Sequence, residues 1–231
     1  MKTLGLIGGT SWISTVDYYR IINQIINEKM GGLNSAKMYL YSLNLAEVNK
    51  FVERNDWKGL SSYLSTIAQK LEAAGAECII ICANTPHKAA DDIRNAVRIP
   101  LIHIAEVTAR EIARIGIKKA GLLGTKFTME ENFFKDRLTQ EHIETLIPDK
   151  KDAREYIHHS IFNELGKGIF TGEAKEKYLT IINDLINRGA EGIIFGCTEI
   201  PLLIKPEECS VPVFDTTQIH ARAAADFALS I

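Results

Sequence analysis

The sequence lacks long apolar runs, a basic stripe and clustered metal ligands. Its apolar runs, such as the one within residues 77–83, are far shorter than the roughly 20 residues that span a bilayer. Lysine and arginine are scattered among acidic residues to a net charge of −2, so no basic surface is available to neutralise phosphates. We therefore expect no membrane and no nucleic-acid partner.

Cysteine is also scarce. The four cysteines, Cys78, Cys82, Cys197 and Cys209, form no C-x-x-C pair and have no histidines at ligand spacing, so we expect no metal site. Cys78 and Cys82 would lie about 13 Å apart in a strand, which excludes a disulfide between them. Separate reduced thiols are typical of the cytosol. Because the N-terminal sequence MKTLGLIGG predicts a strand and not a signal peptide, we expect a cytoplasmic protein.

Short runs of β-branched residues alternate with amphipathic segments along the chain. This alternation is typical of an α/β fold in which helices flank a mainly parallel sheet. One helix is predicted from about Asp56 to Gly75, and another from Ser14, with Ser14 and Asp17 forming a capping box. Strands are predicted near Thr3–Ile7, Lys37–Leu43, Cys78–Cys82, Leu101–Ile104, Ala120–Leu123, Glu144–Ile147, Gly192–Phe195 and Val211–Phe214.

An internal repeat indicates that the α/β unit is duplicated. GAECIIICANTP, from Gly75, matches GAEGIIFGCTEIP, from Gly189, at an offset of 114 positions. LGLIGGT matches AGLLGTK at an offset of 116, and IPLIHIAEVTAR matches VPVFDTTQIHAR at an offset of 112. We predict two pseudo-symmetric α/β domains, the first formed by residues 1–98 and 208–231 and the second by residues 99–207.

The duplication indicates where a site should form. Ligands of open parallel sheets bind beyond the carboxyl ends of the strands, so we expect the strand-end loops of both domains to surround one active-site cleft. The four candidate loops are Gly8–Trp12, Cys82–His87, Gly124–Thr128 and Gly196–Ile200.

The two loops of the first half contain small polar residues beside helix starts. The loop at residues 8–12 lacks both the G-x-G-x-x-G spacing and a Walker lysine, which disfavours a nucleotide site. Thr10 and Ser11 can instead bind a carboxylate, or the turn can simply cap the next helix. Asn84-Thr85-Pro86 predicts a helix with Thr85 as its N-cap, where free amides would also attract a carboxylate.

Gly196-Cys197-Thr198-Glu199 follows the matching strand of the second half. A thiol at a strand end, with hydroxyl and amide donors around it, can have a lowered pKa and act as a base toward a weakly acidic C–H bond. An ordinary buried cysteine is the alternative. The repeat favours the catalytic interpretation, because it places Cys197 in a loop that the topology marks as a site.

The motifs GLIGGTSW, ANTPHK, LLGTKFTM and GAEGIIFGCTEI resemble those of the aspartate/glutamate racemase superfamily, most closely its branch of broad-specificity amino-acid racemases. The resemblance extends over essentially all 231 residues. It implies two α/β domains, a homodimer, and a reaction without pyridoxal phosphate or metal. In such enzymes, one residue removes the α-proton while another supplies one on the opposite face of the substrate.

This chain departs from most members of the superfamily at the first of their two cysteine positions, which is Ala83 here and is threonine in the relatives that it resembles more closely. The repeat agrees, because it pairs Ala83, and not Cys82, with Cys197. Neighbouring strand residues point to opposite faces, so Cys82 is predicted to be a core residue. A methyl group carries no proton, which leaves water, Thr85, Thr10 or a shifted Cys82 as the second acid/base, or an impaired reaction.

The loops and the resemblance together give the candidate site. Cys197, Ala83 and Thr85 occupy catalytic positions, and the substrate-binding candidates are Thr10, Ser11, Arg54, Asn84, Thr85, Thr125, Thr198 and Glu199. Arg54 and Asn49 are expected in a loop that closes over the substrate, where Arg54 could pair with a second carboxylate. The resemblance places His87 near the site; the alternative is a histidine at the surface or behind the residues that contact the substrate. Lys167 is expected in a solvated loop.

The expected function is therefore a cofactor-independent racemase of an amino acid such as aspartate or glutamate, with Cys197 as acid/base. Its expected partner is a small amino acid or dicarboxylate. Two alternatives stay open: a single-thiol decarboxylase or isomerase of small dicarboxylates, and a catalytically impaired binder of small acids.

Overall fold

The structure, a computed structural model, describes residues 1–230 and contains two compact units. The first unit consists of residues 1–104 and the segment from His220 onward, and the second consists of Ala105–Ile219. Each unit contains one four-stranded sheet whose paired strands are all parallel. The α/β fold class predicted from the sequence is thus confirmed.

The first unit is built around the strands β1 (Leu4–Gly8), β2 (Met38–Ser42), β3 (Cys78–Ile81) and β4 (Leu101–Ile102). Their order in the sheet is β2-β1-β3-β4, so β1 and β3 lie at the centre and β2 is an edge strand. The connecting helices are α1 (Trp12–Met30), α2 (Leu45–Glu53), α3 (Trp57–Ala73) and α4 (Ala90–Ala96), and a 3₁₀ helix, Thr85–Ala89, precedes α4.

The second unit repeats this order with the strands β5 (Lys119–Gly124), β6 (Glu144–Leu146), β7 (Gly192–Gly196) and β8 (Val213–Asp215), arranged β6-β5-β7-β8. Its helices are α5 (Ile104–Arg114), α6 (Lys126–Glu130), α7 (Asn132–Gln140), α8 (Lys151–Asn163), α9 (Gly172–Asn187) and α10 (Ile200–Leu203), with 3₁₀ helices at Leu165–Lys167 and Pro206–Glu208. The last helix, α11 (Thr216–Leu229), begins in the second unit and continues in the first.

All eight predicted strands are observed, with bounds shifted by at most two residues. The unit boundaries differ more from the sequence-based domains, which began the second domain at residue 99 and ended it at residue 207. Because β4 pairs with β3, it completes the first sheet, and because β8 pairs with β7, it completes the second. The chain therefore changes unit after each fourth strand, at residues 104/105 and 219/220.

Alternate residues of β3 pack on opposite sides of the first sheet. Ile79 and Ile81 contact the apolar face of α3, where buried leucine and isoleucine side chains each contribute about 1.5 to 3 kcal/mol. Cys78, Ile80 and Cys82 pack on the other side, against α1 and the alanines of α11. Cys82 is fully buried there, so its prediction as a core residue is confirmed.

The N-cap of α3 is the predicted residue, whereas that of α1 is not. Asp56 is the N-cap of α3, as expected, and its side chain accepts a hydrogen bond from the Gly59 amide. The predicted capping box of Ser14 and Asp17 is wrong, because α1 begins at Trp12 and is capped by Ser11. The Ser14 hydroxyl instead donates to the carbonyl of Cys82, 2.7 Å away, which ties α1 to the end of β3.

Three histidines are buried together in the first unit. The ring of His87 lies 4.7 Å from that of His103 and 5.4 Å from that of His220, between ring centroids. Nε2 of His220 lies 2.8 Å from the carbonyl oxygen of Ile102, and Nδ1 lies 2.7 Å from the hydroxyl of Tyr18. A carbonyl only accepts, so Nε2 of His220 carries the proton and the Tyr18 hydroxyl donates to Nδ1.

We expect the burial of His220 to make the protein less stable in acid. Desolvation lowers the pKa of His220 from 6.5 to about 4. As the pH falls from about 6.5 to about 4, the unfolded chain binds more protons than the folded one, and the free energy of unfolding decreases by about 3 kcal/mol on account of this residue. Denaturant unfolding at about pH 7.5 and about pH 4.5 measures the decrease.

The variant His220→Gln removes the titrating group, so it should lose less stability than the wild type between the two pH values. His159→Gln, at an exposed position of α8, serves as the control and should behave like the wild type. Equal losses of unfolding free energy in the wild type and in His220→Gln would show that His220 does not cause the acid sensitivity.

Candidate functional site

The first set of candidate residues lies where β1 and β3 end. These two strands are neighbours, and the ladder between them continues past the strands with a hydrogen bond from the Cys82 amide to the Ile7 carbonyl. The loop that contains Thr10 and Ser11 therefore lies beside the loop that contains Ala83, Asn84 and Thr85. The structure brings these five candidates to the end of the first sheet at which its strands have their carboxyl termini.

The glycine turn after β1 is required by the backbone. Gly9 has a positive φ of 83°, and a Cβ atom there would lie 2.2 Å from the carbonyl oxygen of Leu43. Its amide donates to the Thr15 hydroxyl, 2.8 Å away, and the Ser11 side chain caps α1. The Thr10 hydroxyl is buried and has no hydrogen-bond partner within the protein. Of the residues in this turn, Thr10 thus has the side chain best able to bind a ligand.

The loop after β3 differs from the predicted helix start. Thr85 begins a 3₁₀ helix of five residues, and the N-cap position is Asn84, in right-handed helical conformation and without a side-chain cap. The prediction of Thr85 as an α-helical N-cap is therefore wrong, and so short a helix offers little dipole to hold a carboxylate. Ala83 and Thr85 are partly exposed, whereas Asn84 is buried.

The remaining candidates of the first unit lie around the junction of α2 and α3. Asn49 lies inside α2 and not in a loop, whereas Arg54 is the exposed C-cap of that helix. The start of α3 contacts the 3₁₀ helix Thr85–Ala89, because the ammonium of Lys88 lies 3.7 Å from the centroid of the Trp57 ring. The sequence analysis missed this contact, which holds the start of α3 near the Asn84–Lys88 segment.

The second set of candidates lies where β5 and β7 end side by side. Thr125 follows β5 and caps α6, with its hydroxyl accepting from the Thr128 amide at 3.4 Å. Gly196 ends β7, and a Cβ atom there would lie 2.8 Å from the carbonyl oxygen of Leu123. Close packing of the two strands thus explains the glycine that precedes Cys197. Lys167 is exposed, as expected, but it ends the 3₁₀ helix Leu165–Lys167 and does not lie in a loop.

Cys197, Thr198 and Glu199 form a compact polar group after β7. The Cys197 thiol donates a hydrogen bond to Oε2 of Glu199, with 2.9 Å between sulfur and oxygen. The Thr198 hydroxyl donates to the same oxygen at 2.7 Å. Cys197 and Glu199 are both buried. The Glu199 carboxylate therefore accepts a hydrogen bond from the thiol. The spacing of the two residues along the chain did not predict this contact.

These surroundings raise the pKa of Cys197 well above its ordinary value. Burial is the main cause, and the charge of Glu199 and its hydrogen bond with the thiol act in the same direction. The backbone of Glu199 and Thr198 lowers the pKa, as the sequence analysis expected, but it is outweighed. The expectation of a lowered pKa is thus wrong for this structure, in which the thiol is neutral and has a carboxylate as a proton acceptor.

Residues 1–230 contain neither a candidate membrane span nor a candidate metal cluster. None of their helices combines the length and apolar character that a bilayer span requires. Over the same residues, no group of three or more histidine, cysteine, aspartate and glutamate side chains is placed to hold a metal ion.

Comparison with known proteins identifies the family. A family model described as Asp/Glu/hydantoin racemase matches residues 7–224. The chain belongs to this family. Racemases are isomerases, and the membership confirms the resemblance seen in the sequence motifs as well as the expected enzyme class.

Two solved structures match the whole chain, and a curated relative matches about two thirds of it. The crystal structure of a candidate Asp/Glu racemase from Yersinia pestis is 50% identical, covers 100% of both chains and has a TM-score of 0.94. That of an aspartate racemase homologue from Pyrococcus horikoshii is 37% identical over 100% of both chains, with a TM-score of 0.86. A broad-specificity amino-acid racemase from Bacillus subtilis is 24% identical over 68% of this chain and 66% of its own length.

We expect Glu199→Gln to lower the pKa of Cys197. The amide removes the negative charge and the carboxylate hydrogen bond, both of which raise the pKa of the thiol. The midpoint of thiolate ultraviolet absorbance against pH should therefore move to lower pH than in the wild type.

Subtracting the titration of the double variant Glu199→Gln/Cys197→Ser isolates Cys197 from the other three cysteines, and the wild type is corrected in the same way with Cys197→Ser. An unchanged or higher midpoint would show that the carboxylate does not control the thiol.

Proposed function

We propose that the protein is a cofactor-independent amino-acid racemase, of the aspartate/glutamate type or of broad specificity, in which Cys197 is the acid/base on one face of the substrate. The hydrogen bond from the Cys197 thiol to Glu199 is the observation that carries this proposal, because it supplies an acceptor for the thiol proton. Membership of the racemase family supports the reaction class.

The proposed reaction begins with transfer of the thiol proton to Glu199. The S–H bond of Cys197 breaks and an O–H bond forms on Oε2, which leaves a thiolate beside a neutral acid. The thiolate then removes the α-proton: an S–H bond forms, the Cα–H bond breaks, and the electron pair is delocalised into the carboxylate of the substrate. A proton delivered to the opposite face of Cα completes the inversion.

Position 83 is proposed to correspond to that opposite face, and here it is an alanine. The candidates for the proton donor on this face are the hydroxyls of Thr85 and Thr10, and water. A shifted Cys82 has little support, because burial strongly raises the pKa of its thiol and its side chain packs beneath α1 and α11. We therefore propose that proton exchange on the Cys197 face is faster than inversion.

The proposed substrate is a small amino acid held by neutral donors. Thr10, Ser11, Asn84 and Thr85 at one sheet edge, and Thr125 and Thr198 at the other, are proposed to bind its α-carboxylate and α-amino group. Arg54 is proposed to pair with a second carboxylate in aspartate or glutamate, for which its planar guanidinium suits bidentate contacts. No cofactor is part of this proposal.

The alanine at position 83 also favours a second candidate function. A single-thiol decarboxylase or isomerase of small dicarboxylates needs a proton donor on one face only, which Cys197 would supply. Release of CO₂ with a single product enantiomer would identify it, and a racemic product without CO₂ would exclude it. An impaired binder of small acids would instead be stabilised thermally by such acids without proton exchange.

Deuterium uptake at Cα is the test of the proposed reaction. In heavy water, the wild type should incorporate deuterium into an aspartate or glutamate enantiomer faster than it inverts it. Cys197→Ala should reduce uptake by about 10²- to 10⁴-fold, because it removes the acid/base. Ala83→Cys should increase inversion relative to uptake, because it adds a proton carrier on the other face.

Cys209→Ala is the matched control, since it removes a cysteine outside the proposed site, and it should leave both rates unchanged. Unaltered uptake in Cys197→Ala, or the absence of uptake and inversion across a panel of amino acids, would exclude the mechanism. A folded Ala83→Cys variant without a gain in inversion would argue against the assignment of position 83.

We further propose that the protein is a cytoplasmic homodimer. Four free cysteines support a reducing compartment. Helix α1 exposes Trp12, Val16 and Tyr19 at 71%, 56% and 57%, spaced so that they share one face. An exposed apolar face of this kind supports contact with a second copy.

Val16→Glu should weaken a dimer formed through this face, because it introduces a charge among apolar side chains. Sedimentation velocity over a range of concentrations should then show more monomer than in the wild type. Ile115→Glu, at another exposed apolar position, is the control. A wild type that is monomeric at all concentrations would refute the proposal.

A further inference from the structure

The proposed mechanism leaves His87 unused, although it lies four residues from Ala83. It is 1% exposed and is surrounded by His103, His220 and the polypeptide backbone. His87 is therefore shielded from solvent and is not a surface histidine. Its role must follow from what its two ring nitrogens bind.

Both nitrogens of His87 bind backbone groups. Nδ1 lies 2.8 Å from the carbonyl oxygen of Ala83, which can only accept, so Nδ1 carries the proton. Nε2 then has a free lone pair, and the amide of Ile104 donates to it at 3.2 Å. The hydrogen bonds thus define one neutral tautomer, and no nitrogen is left to carry a proton to or from a substrate.

The two backbone groups follow two neighbouring strands. The ladder between β3 and β4 ends with the pair Ile80 and Ile102. Beyond it, the imidazole of His87 connects Ala83, after β3, to Ile104, after β4. A single side chain therefore extends the connection between the two strands into the loops that follow them.

The surroundings keep His87 neutral, as this bridge requires. Burial holds the pKa of His87 well below its ordinary value, and the neighbouring His103 and His220, together with Arg94, act in the same direction. The hydrogen bond to Ala83 has the opposite, smaller effect. Protonation would place a proton on Nε2 and break the bond from the Ile104 amide.

We infer that His87 is a positioning residue, which fixes the backbone at Ala83 and thereby the placement of the candidate residues Asn84 and Thr85 that follow it. This inference rests on the proposed racemase function for its effect on rate, but not for the contact itself. Displacement of catalytic or binding groups by about 1 Å can cost about 10²-fold in rate. Loss of the bridge should therefore affect turnover beyond any effect on stability.

The test compares three variants. His87→Ala removes both hydrogen bonds. His87→Asn keeps a donor at the place of Nδ1 and so can still bind the Ala83 carbonyl, but it has no acceptor for the Ile104 amide. His220→Gln changes a histidine of the same buried cluster that does not touch Ala83, and it controls for general damage to the core.

In His87→Ala, the rate of α-deuterium uptake at saturating substrate should fall by about 10- to 100-fold. His87→Asn should recover most of this loss, and His220→Gln should stay near the wild type at about pH 7.5. Hydrogen exchange of the backbone amides around residues 82–85 and at Ile104 should be faster in His87→Ala than in His220→Gln at equal distance from the melting temperature.

Equal losses of turnover in His87→Ala and His220→Gln, in proportion to their losses of stability, would overturn the inference. So would unchanged hydrogen exchange around residues 82–85 in His87→Ala. A wild type without deuterium uptake would refute the proposed function instead, and the hydrogen-exchange comparison would still decide whether His87 holds the loop.

Discussion

A buried carboxylate beside a buried thiol is the constraint on which the candidate site depends. Burying a charge is costly unless hydrogen bonds compensate it, and Oε2 of Glu199 receives two, from Cys197 and from Thr198. This arrangement needs the three residues in sequence at the end of β7, where the chain turns sharply. Gly196 permits close packing at this strand end, because a Cβ atom there would lie 2.8 Å from the carbonyl oxygen of Leu123 in β5. Removing Glu199 would therefore disturb both the charge balance and the position of the thiol.

The duplicated units share a strand order but hold their strand-end loops differently. In the second unit, the loop after β7 is organised by an acid and a thiol. In the first, the loop after β3 is held by the Ser14 hydroxyl, which donates to the Cys82 carbonyl, and by His87, which donates to the Ala83 carbonyl. In the first unit, side chains thus hold the backbone of the loop in place, whereas in the second unit the loop contains a thiol and a carboxylate that are hydrogen-bonded to each other. The two units share the same scaffold but differ in the functional groups at their strand ends.

Periodicity and the repeat were sufficient to predict the eight strands, the strand-end loops and the burial of Cys82, because these follow from side-chain alternation and parallel pairing. The direction of the Cys197 pKa could not be predicted, since it depends on where the Glu199 carboxylate points after a turn. His87 was equally ambiguous, because only the fold brings Ile104 to its second nitrogen. The units divide at other residues than the predicted domains, because the fourth strand of each sheet precedes the point at which the chain changes unit.

The commitment of both His87 nitrogens limits what can replace a thiol at position 83. Histidine would be the most effective general acid near neutral pH, but the one proton of the His87 ring is donated to the Ala83 carbonyl, and its other nitrogen accepts from the Ile104 amide. The hydroxyl candidates considered for this role, Thr10 and Thr85, are aliphatic alcohols, which are very weak acids near neutral pH and therefore weak general acids. We therefore propose an asymmetric reaction, in which exchange of the α-proton on the Cys197 face is faster than delivery of a proton on the other face, so that this delivery limits inversion.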